Sequence, residues 1–341
     1  MTRILVTGGS GFIATHLLDI LLKEGHSVVT TIRSQQKADA IKSVFSSYGK
    51  DQLDFTIVED IAKAGAFDKA VVSSPPFETV IHTASPFQLN AKNIQTDLID
   101  PAVNGTTSIL KAIKAGAPSV KRVVITSSFA SVVDTSKNNW PGHAYSEKEW
   151  NPMTLETALS NPALGYTGSK AFAEKAAWEF VEKEKPSFTL ATILPTLVFG
   201  PIIPGIHSLS SLNTSNQIIF GMTQGMAKDK IPDFGGYAWV DVRDVAAAHY
   251  KAATLPEAGG NRYLACGAPY NNRMIVDIIK KNFLVYSAVL PDDNVAGGTF
   301  PEEGVFTVDA SKAERELGIH FTKLETAIVD TVESFDAVKQ H

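Results

Sequence analysis

Cysteine is nearly missing from this chain: Cys266 is the one thiol in 341 residues. No disulfide can form within it, and a small buried apolar role is the ordinary use of such a residue. An apolar run of roughly 18 residues, the mark of a membrane-spanning helix, is also missing. Basic charge is not in excess. Lys and Arg number 31 against 36 Asp and Glu, for a formal net charge of -5, which argues against a nucleic-acid partner. The pattern G-x-S-x-G of a nucleophile elbow, a Walker-type G-K-[ST] and H-E-x-x-H are all absent, so acyl transfer, P-loop and zincin chemistry lose their usual signatures. The eight histidines are scattered and suggest no metal site. No internal repeat, low-complexity tract or flexible linker stands out. The first apolar run starts at Arg3, which leaves no room for a signal peptide. Together with the lone thiol this predicts a reduced, cytoplasmic setting. The triplets Asn104-Gly105-Thr106 and Asn213-Thr214-Ser215 are then not expected to carry sugar.

What is present is ordinary globular material, 44% hydrophobic and 20% charged. The length suggests about two domains, since single cores stop growing near ~250–300 residues. Short apolar runs at 3–8, 27–33, 55–60, 79–85, 121–128 and 189–200 read as strands buried on both faces. Between them lie helical patterns at 16–25, 104–117 and 166–185, with Gly25 and Gly116 placed as left-handed caps. This alternation predicts an α/β fold, a doubly wound parallel sheet. The texture changes after about residue 200: 201–217 is loop-like, and 256–305 is rich in Gly, Pro and Asn. Residues 239–253 read as one more strand leading into a helix, and the C-terminal segments are helical by period. The division expected is 1–198 plus 238–266 for a dinucleotide-binding Rossmann domain, with 199–237 plus 267–341 as a smaller substrate domain.

The N-terminal RILVTGGSGFIATH puts Gly8, Gly9 and Gly11 at the turn from a strand into a helix. Gly8, Gly11 and Ala14 give a G-x-x-G-x-x-A spacing. Backbone amides exposed at a helix N-terminus attract a pyrophosphate, provided no Cβ intrudes. A strand before it and a helix after it are the context that supports dinucleotide binding. No acid stands at the end of the second strand to take a ribose 2′-hydroxyl. Arg33 and Lys37 stand there instead, which suits a 2′-phosphate, the alternative being a solvated basic turn. Asp60 after the third strand is either an acceptor for the adenine amino group or a helix N-cap.

Tyr166 and Lys170 are spaced i, i+4 and share a helix face. A lysine ammonium near a tyrosine hydroxyl is expected to stabilise the phenolate and lower its pKa from about 10 toward 7, making Tyr166 a candidate proton donor near neutral pH. Ser127 and Ser128 end the fifth strand, on the carboxyl edge where doubly wound sheets bind ligands. Ser128, the later of the two, is the better candidate.

These residues carry a resemblance. TGGSGFIA, HTASP (82–86), VNGT (103–106), ITSS (125–128), YTGSK (166–170), LPTLVFGP (194–201) and VDVRDVAAAH (240–249) resemble the extended short-chain dehydrogenase/reductase family. Within it the chain is most similar to the dihydroflavonol-reductase-like branch, which includes yeast NADPH-dependent methylglyoxal and carbonyl reductases. The match runs in order over roughly residues 3–250 and more weakly beyond. It implies Tyr166 as general acid, Lys170 as holder of the nicotinamide ribose and tuner of Tyr166, and Ser128 as hydrogen-bond partner of the substrate carbonyl. For the NADPH cofactor it implies Gly8, Gly11, Phe12, Ile13, Arg33, Lys37, Asp60, Ile61, Thr83, Ser85, Pro195, Val198 and Ser215. Phe87, Phe129, Leu197 and Trp239 are candidate pocket walls, with core packing as their other reading. The chain departs from its yeast relatives at Leu194 and in 284–305, which leaves the substrate open without touching the catalytic set. The activity implied is NADPH-dependent reduction of an aldehyde or ketone, with a small-molecule carbonyl as partner, no membrane, and a monomer or homodimer. Two alternatives stand beside it: a nucleotide-sugar epimerase or dehydratase, disfavoured by the apolar candidate pocket, and a non-catalytic NADP sensor, which has no need of serine, tyrosine and lysine together.

Overall fold

A computed structural model describes residues 2–85, 92–233 and 236–339. Five strands with connecting helices come first: β1 (Arg3–Thr7), α1 (Phe12–Lys23), β2 (Ser27–Ile32), α2 (Gln35–Val44), β3 (Leu53–Ile57), β4 (Thr79–His82), α3 (Asp100–Gly116) and β5 (Arg122–Thr126). A two-residue strand β6 (Ala144–Tyr145) and a short helix α4 (Leu155–Ala158) lead to the long α5 (Pro162–Glu184), then β7 (Thr189–Pro195) and β8 (Leu197–Phe199). The rest comprises α6 (Thr214–Thr223), β9 (Trp239–Asp241), α7 (Val242–Thr254), β10 (Asn261–Ala265), α8 (Asn272–Asn282), β11 (Thr307–Val308), α9 (Ser311–Leu317) and α10 (Leu324–Lys339).

Seven strands form one parallel sheet in the order β10-β7-β5-β4-β1-β2-β3. The doubly wound expectation therefore holds, and the reason is visible residue by residue. Successive side chains of a strand point to opposite faces. Ile4 and Val6 pack with Leu17, Leu18 and Leu21 of α1 and Val245 of α7. Leu5 between them packs on the other side with Ile109 and Ile113 of α3 and Phe180 of α5. Both faces are covered by helices, so the strands read as continuous apolar runs.

Several expectations change. The run 189–200 is two strands. β7 pairs with β10 as far as Pro195, whose ring nitrogen has no proton to donate to a ladder. Beyond it the Leu197 amide turns to the Ala238 carbonyl at 3.2 Å, and β8 pairs with β9. The stretch 256–305, rich in Gly, Pro and Asn, holds β10, an edge strand preceded by Gly259-Gly260, and α8. The third strand lies at 53–57 because the chain turns after it. Gly25 has the left-handed φ of +77°, but Gly116 is the last residue of α3, whose cap is Ala117 at φ -133°.

A third cluster gathers Phe199, Trp239, Ile219 and Met222 of α6, Ile275 and Ile279 of α8, and Ile328, Val332 and Phe335 of α10. It is distinct from the two sheet-face cores. Arg243 ties α10 to the start of α7, contacting Asp241 at 2.7 Å and Asp330 at 2.6 Å.

Candidate active site

The glycine turn opens on the carboxyl edge of β1. Gly8 has φ +75°, and a Cβ there would also lie 3.0 Å from the Ala84 Cα. A side chain at Gly9 would meet the Thr30 hydroxyl at 2.1 Å, so this residue serves the packing of the turn on β2. The Gly11 amide donates to the Gly8 carbonyl at 2.8 Å and Gly11 caps α1. The first-turn amides of Phe12, Ile13 and Ala14 lack intrahelical partners by geometry. They are the donors a pyrophosphate takes at a helix start.

The neighbouring turn is fastened to this one. The Thr83 hydroxyl donates to the Thr7 carbonyl at 2.5 Å, and the Ala84 amide donates to the Thr7 hydroxyl at 3.2 Å. The same hydroxyl hydrogen-bonds with His82 Nδ1, 2.8 Å away. Burial, aided by the nearby Lys170 charge, pushes His82 down to about 3, so it stays neutral.

Tyr166 and Lys170 stand on α5, which starts with Pro162 behind an Asn161 cap whose Oδ1 accepts from the Leu164 amide at 2.9 Å. The Lys170 Nζ lies 5.7 Å from the Tyr166 ring centroid and donates to Ser85 Oγ at 2.6 Å. Thus α5 and the end of β4 meet at the lysine. Burial pushes Lys170 down to about 8. Burial also raises the Tyr166 phenol above its ordinary value, which corrects the expected lowering. A phenol removed from water resists ionisation. A phenol that keeps its proton is still a donor once a strongly basic alkoxide forms beside it.

Ser127 and Ser128 separate cleanly. Ser127 is buried, and its hydroxyl donates to Glu174 Oε2 at 2.6 Å. Ser128 is half-buried and caps the following turn, accepting from the Ala130 amide at 3.1 Å. A small cavity of about 20 Å³ joins Ser85, Lys170, Thr106, Ser127 and Glu174.

The other candidates lie around this point. Arg33 and Lys37 are exposed beyond β2, on either side of Ser34, the cap of α2. Asp60 Oδ1 accepts from the Ala62 amide at 2.9 Å; it caps a turn and not a helix. Ile61 is buried against Gly105. Pro195 ends β7, and Ser215 is buried in the first turn of α6. Val198 packs with the sheet-face core that includes α1 and α7, and Leu197 with the α6, α8 and α10 cluster. Phe129 sits in an aromatic cluster, 5.4 Å from Tyr145 and 5.7 Å from Phe306 between centroids. Trp239 is 1% exposed and stacks on Phe199. Phe87 lies outside the described residues.

Residues not singled out from sequence also converge here: Thr7, His82, Glu174 and Arg262. Glu174 is one turn beyond Lys170 on the same helix face, so spacing alone could have drawn attention to it. Arg262, 88 residues away, offered no such signal. Among the described residues no group of His, Cys, Asp and Glu is arranged to hold a metal, and no helix is long and apolar enough to cross a membrane.

A parallel doubly wound sheet with a glycine turn at β1, a serine at the end of β5 and a Tyr-x-x-x-Lys helix defines an extended short-chain dehydrogenase/reductase. Residues 4–267 match the NAD dependent epimerase/dehydratase family, and the chain belongs to that family. It is 41% identical over 335 residues to the ketoreductase azaE of Aspergillus niger, covering 97% of each. It is 39% identical over 333 residues to the NADPH-dependent methylglyoxal reductase GRE2 of Saccharomyces cerevisiae, covering 96% of each. The solved yeast methylglyoxal/isovaleraldehyde reductase Gre2 complexed with NADPH superposes with a TM-score of 0.92 over 99% of both chains at 36% identity. A UDP-glucose 4-epimerase of Thermotoga maritima, at 18% identity and a TM-score of 0.70, shares the fold.

Proposed function

We propose that this chain is an NADPH-dependent carbonyl reductase, converting an aldehyde or ketone to an alcohol, with Tyr166 as general acid. The observation that carries the reading is the meeting of α5 and β4 through the Lys170–Ser85 bond of 2.6 Å, with Tyr166 on the same helix face and Ser128 at the end of the adjacent β5. The residues present fit NADPH. The Gly8–Gly11 turn leaves its helix amides open to a pyrophosphate, and Arg33 and Lys37 offer two exposed cations where a 2′-phosphate would lie. Asp60 and Ile61 would border the adenine, Thr83, Ser85, Pro195 and Val198 the nicotinamide half, and Ser215 the side facing α6.

When bound, the nicotinamide supplies a hydride to the carbonyl carbon. The work of the chain is to place the carbonyl and manage the charge on its oxygen. The Ser128 hydroxyl donates a hydrogen bond to that oxygen, and the Tyr166 phenol gives it a proton. Lys170 holds the ribose and, as a cation near Tyr166, eases the charge left on the phenolate. Leu197, Phe87, Phe129 and Trp239 are proposed as the apolar surroundings of the substrate. The α6–α8–α10 cluster is proposed as the core of the smaller domain, bounded as the sequence suggests, and the protein is proposed to act in the cytoplasm as a monomer or homodimer.

The test is steady-state turnover of a panel of aldehydes and ketones with NADPH and with NADH, on wild type and Tyr166→Phe. Turnover with NADPH that collapses in Tyr166→Phe, while cofactor still binds, supports the reading. A wild type inert toward every carbonyl, or a variant that retains most of its turnover, refutes it.

A further inference from the structure

The carboxylate of Glu174 is fully buried and accepts five hydrogen bonds. Oε1 takes Thr192 Oγ1 at 2.8 Å, Trp178 Nε1 at 3.2 Å and Arg262 Nε at 2.8 Å. Oε2 takes Ser127 Oγ at 2.6 Å and Arg262 Nη2 at 3.2 Å. A carboxylate has about four lone-pair sites, so every acceptor position is in use. Its counter-charge is Arg262, whose Nε lies 2.8 Å from Oε1. Arg262 is fixed in turn: Nη1 donates to the carbonyls of Glu147 at 2.6 Å and Glu149 at 2.7 Å, and its guanidinium lies 3.6 Å from the Trp150 ring centroid.

The donors come from separate elements. Glu174 and Trp178 are on α5, Thr192 on β7, Arg262 on β10, and Ser127 follows β5. Tyr166, Lys170 and Glu174 are spaced at i, i+4 and i+8, along one face of α5. One carboxylate therefore joins the helix that bears the tyrosine and lysine to the residue next to Ser128. The Ser127 amide is also tied, donating to Ile193 O at 2.8 Å. The residue before Ser128 is thus anchored through both its amide and its hydroxyl.

We propose that Glu174 is a positioning residue for the reduction: its buried hydrogen bonds set the distance and angle between Ser128 and the Tyr166–Lys170 face. This rests on the catalytic reading above. Stability alone gives a weaker account of such a group, because a buried ion pair often stabilises no more than well-packed apolar residues of similar volume.

The test uses the full-length enzyme with NADPH and with NADPH carrying deuterium at the transferred position. Ser127→Ala removes one link and leaves the ion pair, so it keeps the test open if the others fold poorly. It should lower kcat about tenfold and Glu174→Gln about 100-fold, as small misplacements do, with KM for NADPH within about threefold. The isotope effect on kcat should rise in both as hydride transfer becomes limiting. Glu174→Gln/Arg262→Gln removes the orphaned charge; it should recover thermal stability but not kcat. A kcat within about threefold of wild type in Ser127→Ala and Glu174→Gln, with Tyr166→Phe inactive, overturns the positioning role alone. So does recovery of kcat together with stability in the double variant. An active Tyr166→Phe overturns the catalytic reading beneath it.

Discussion

Lys170 and the Arg33–Lys37 pair are the cations proposed to meet the cofactor, and they are held in opposite ways. Lys170 is enclosed, aimed at Ser85 by a 2.6 Å bond, and pushed down to about 8 by burial. Arg33 and Lys37 extend from an exposed turn. At the end proposed for the chemistry, the fold removes water and fixes the side chain. At the end proposed to grip a phosphate, it leaves long side chains in solvent. Burial thus multiplies the effect of each polar contact at the first place, while screening dilutes it at the second.

The comparison predicts unequal consequences. The largest belongs to the enclosed end: Tyr166→Phe should lower kcat at least ~100-fold, with NADPH affinity retained in a fluorescence titration. Survival of turnover would erase the distinction. Phe129→Ala comes next. Its ring packs on Tyr145 and Phe306, so the loss should appear in urea unfolding, up to about 3 kcal/mol. A changed ranking of ketones by bulk, with stability intact, would instead place the ring against substrate. At the exposed end, Arg33→Ala should reduce kcat/KM for NADPH about tenfold, the worth of one good contact to a charged group, with NADH use nearly unchanged and the preference shrinking in high salt. Equal use of both cofactors by wild type would make the basic turn a solvated one.

The smallest effect is a pH dependence. Lys170 has a folded pKa of about 8, below its ordinary 10.5, so between about pH 7 and 9 the unfolded chain binds more protons. Stability then rises with pH through that window. Higher up, the buried Cys266 thiol and the tyrosines, all raised by burial, oppose the trend. The melting temperature of the cofactor-free protein should climb by a few degrees from pH 7 to 9, and Lys170→Met should flatten the climb. Identical curves for the two proteins would show that the lysine is not desolvated.

What could be read from the sequence was local. The glycine turn follows its strand within a few residues, and Tyr166 and Lys170 are one helical turn apart, so spacing alone puts them together. Buried parallel strands announce themselves as apolar runs, although the reading of 189–200 as one run passes over the break at Pro195. Hidden from view were partners brought together by the fold. The five-residue β10 lay in a stretch rich in turn formers. Arg262 reaches Glu174 only because β10 joins the sheet beside β7. Phe129 is expected as a pocket wall because it follows Ser128; that its ring also meets Phe306, far along the chain, could not be read from spacing. The direction of the Tyr166 shift failed for a related reason: helix spacing does not tell how far the fold removes the phenol from water.

The exchange of pairing at Pro195 has a consequence for how such a protein can change. β8 is only Leu197–Phe199, yet Leu197 packs with the α6, α8 and α10 cluster and Val198 with the core below the dinucleotide turn. Neighbouring codons therefore address two separate surfaces. On the proposed reading, a substitution at Leu197 bears on the substrate side while its neighbour keeps the cofactor side in place. A one-residue insertion or deletion between Pro195 and Leu197 would exchange the two faces at once. Lineages that diversify this site should vary by substitution here and preserve the length.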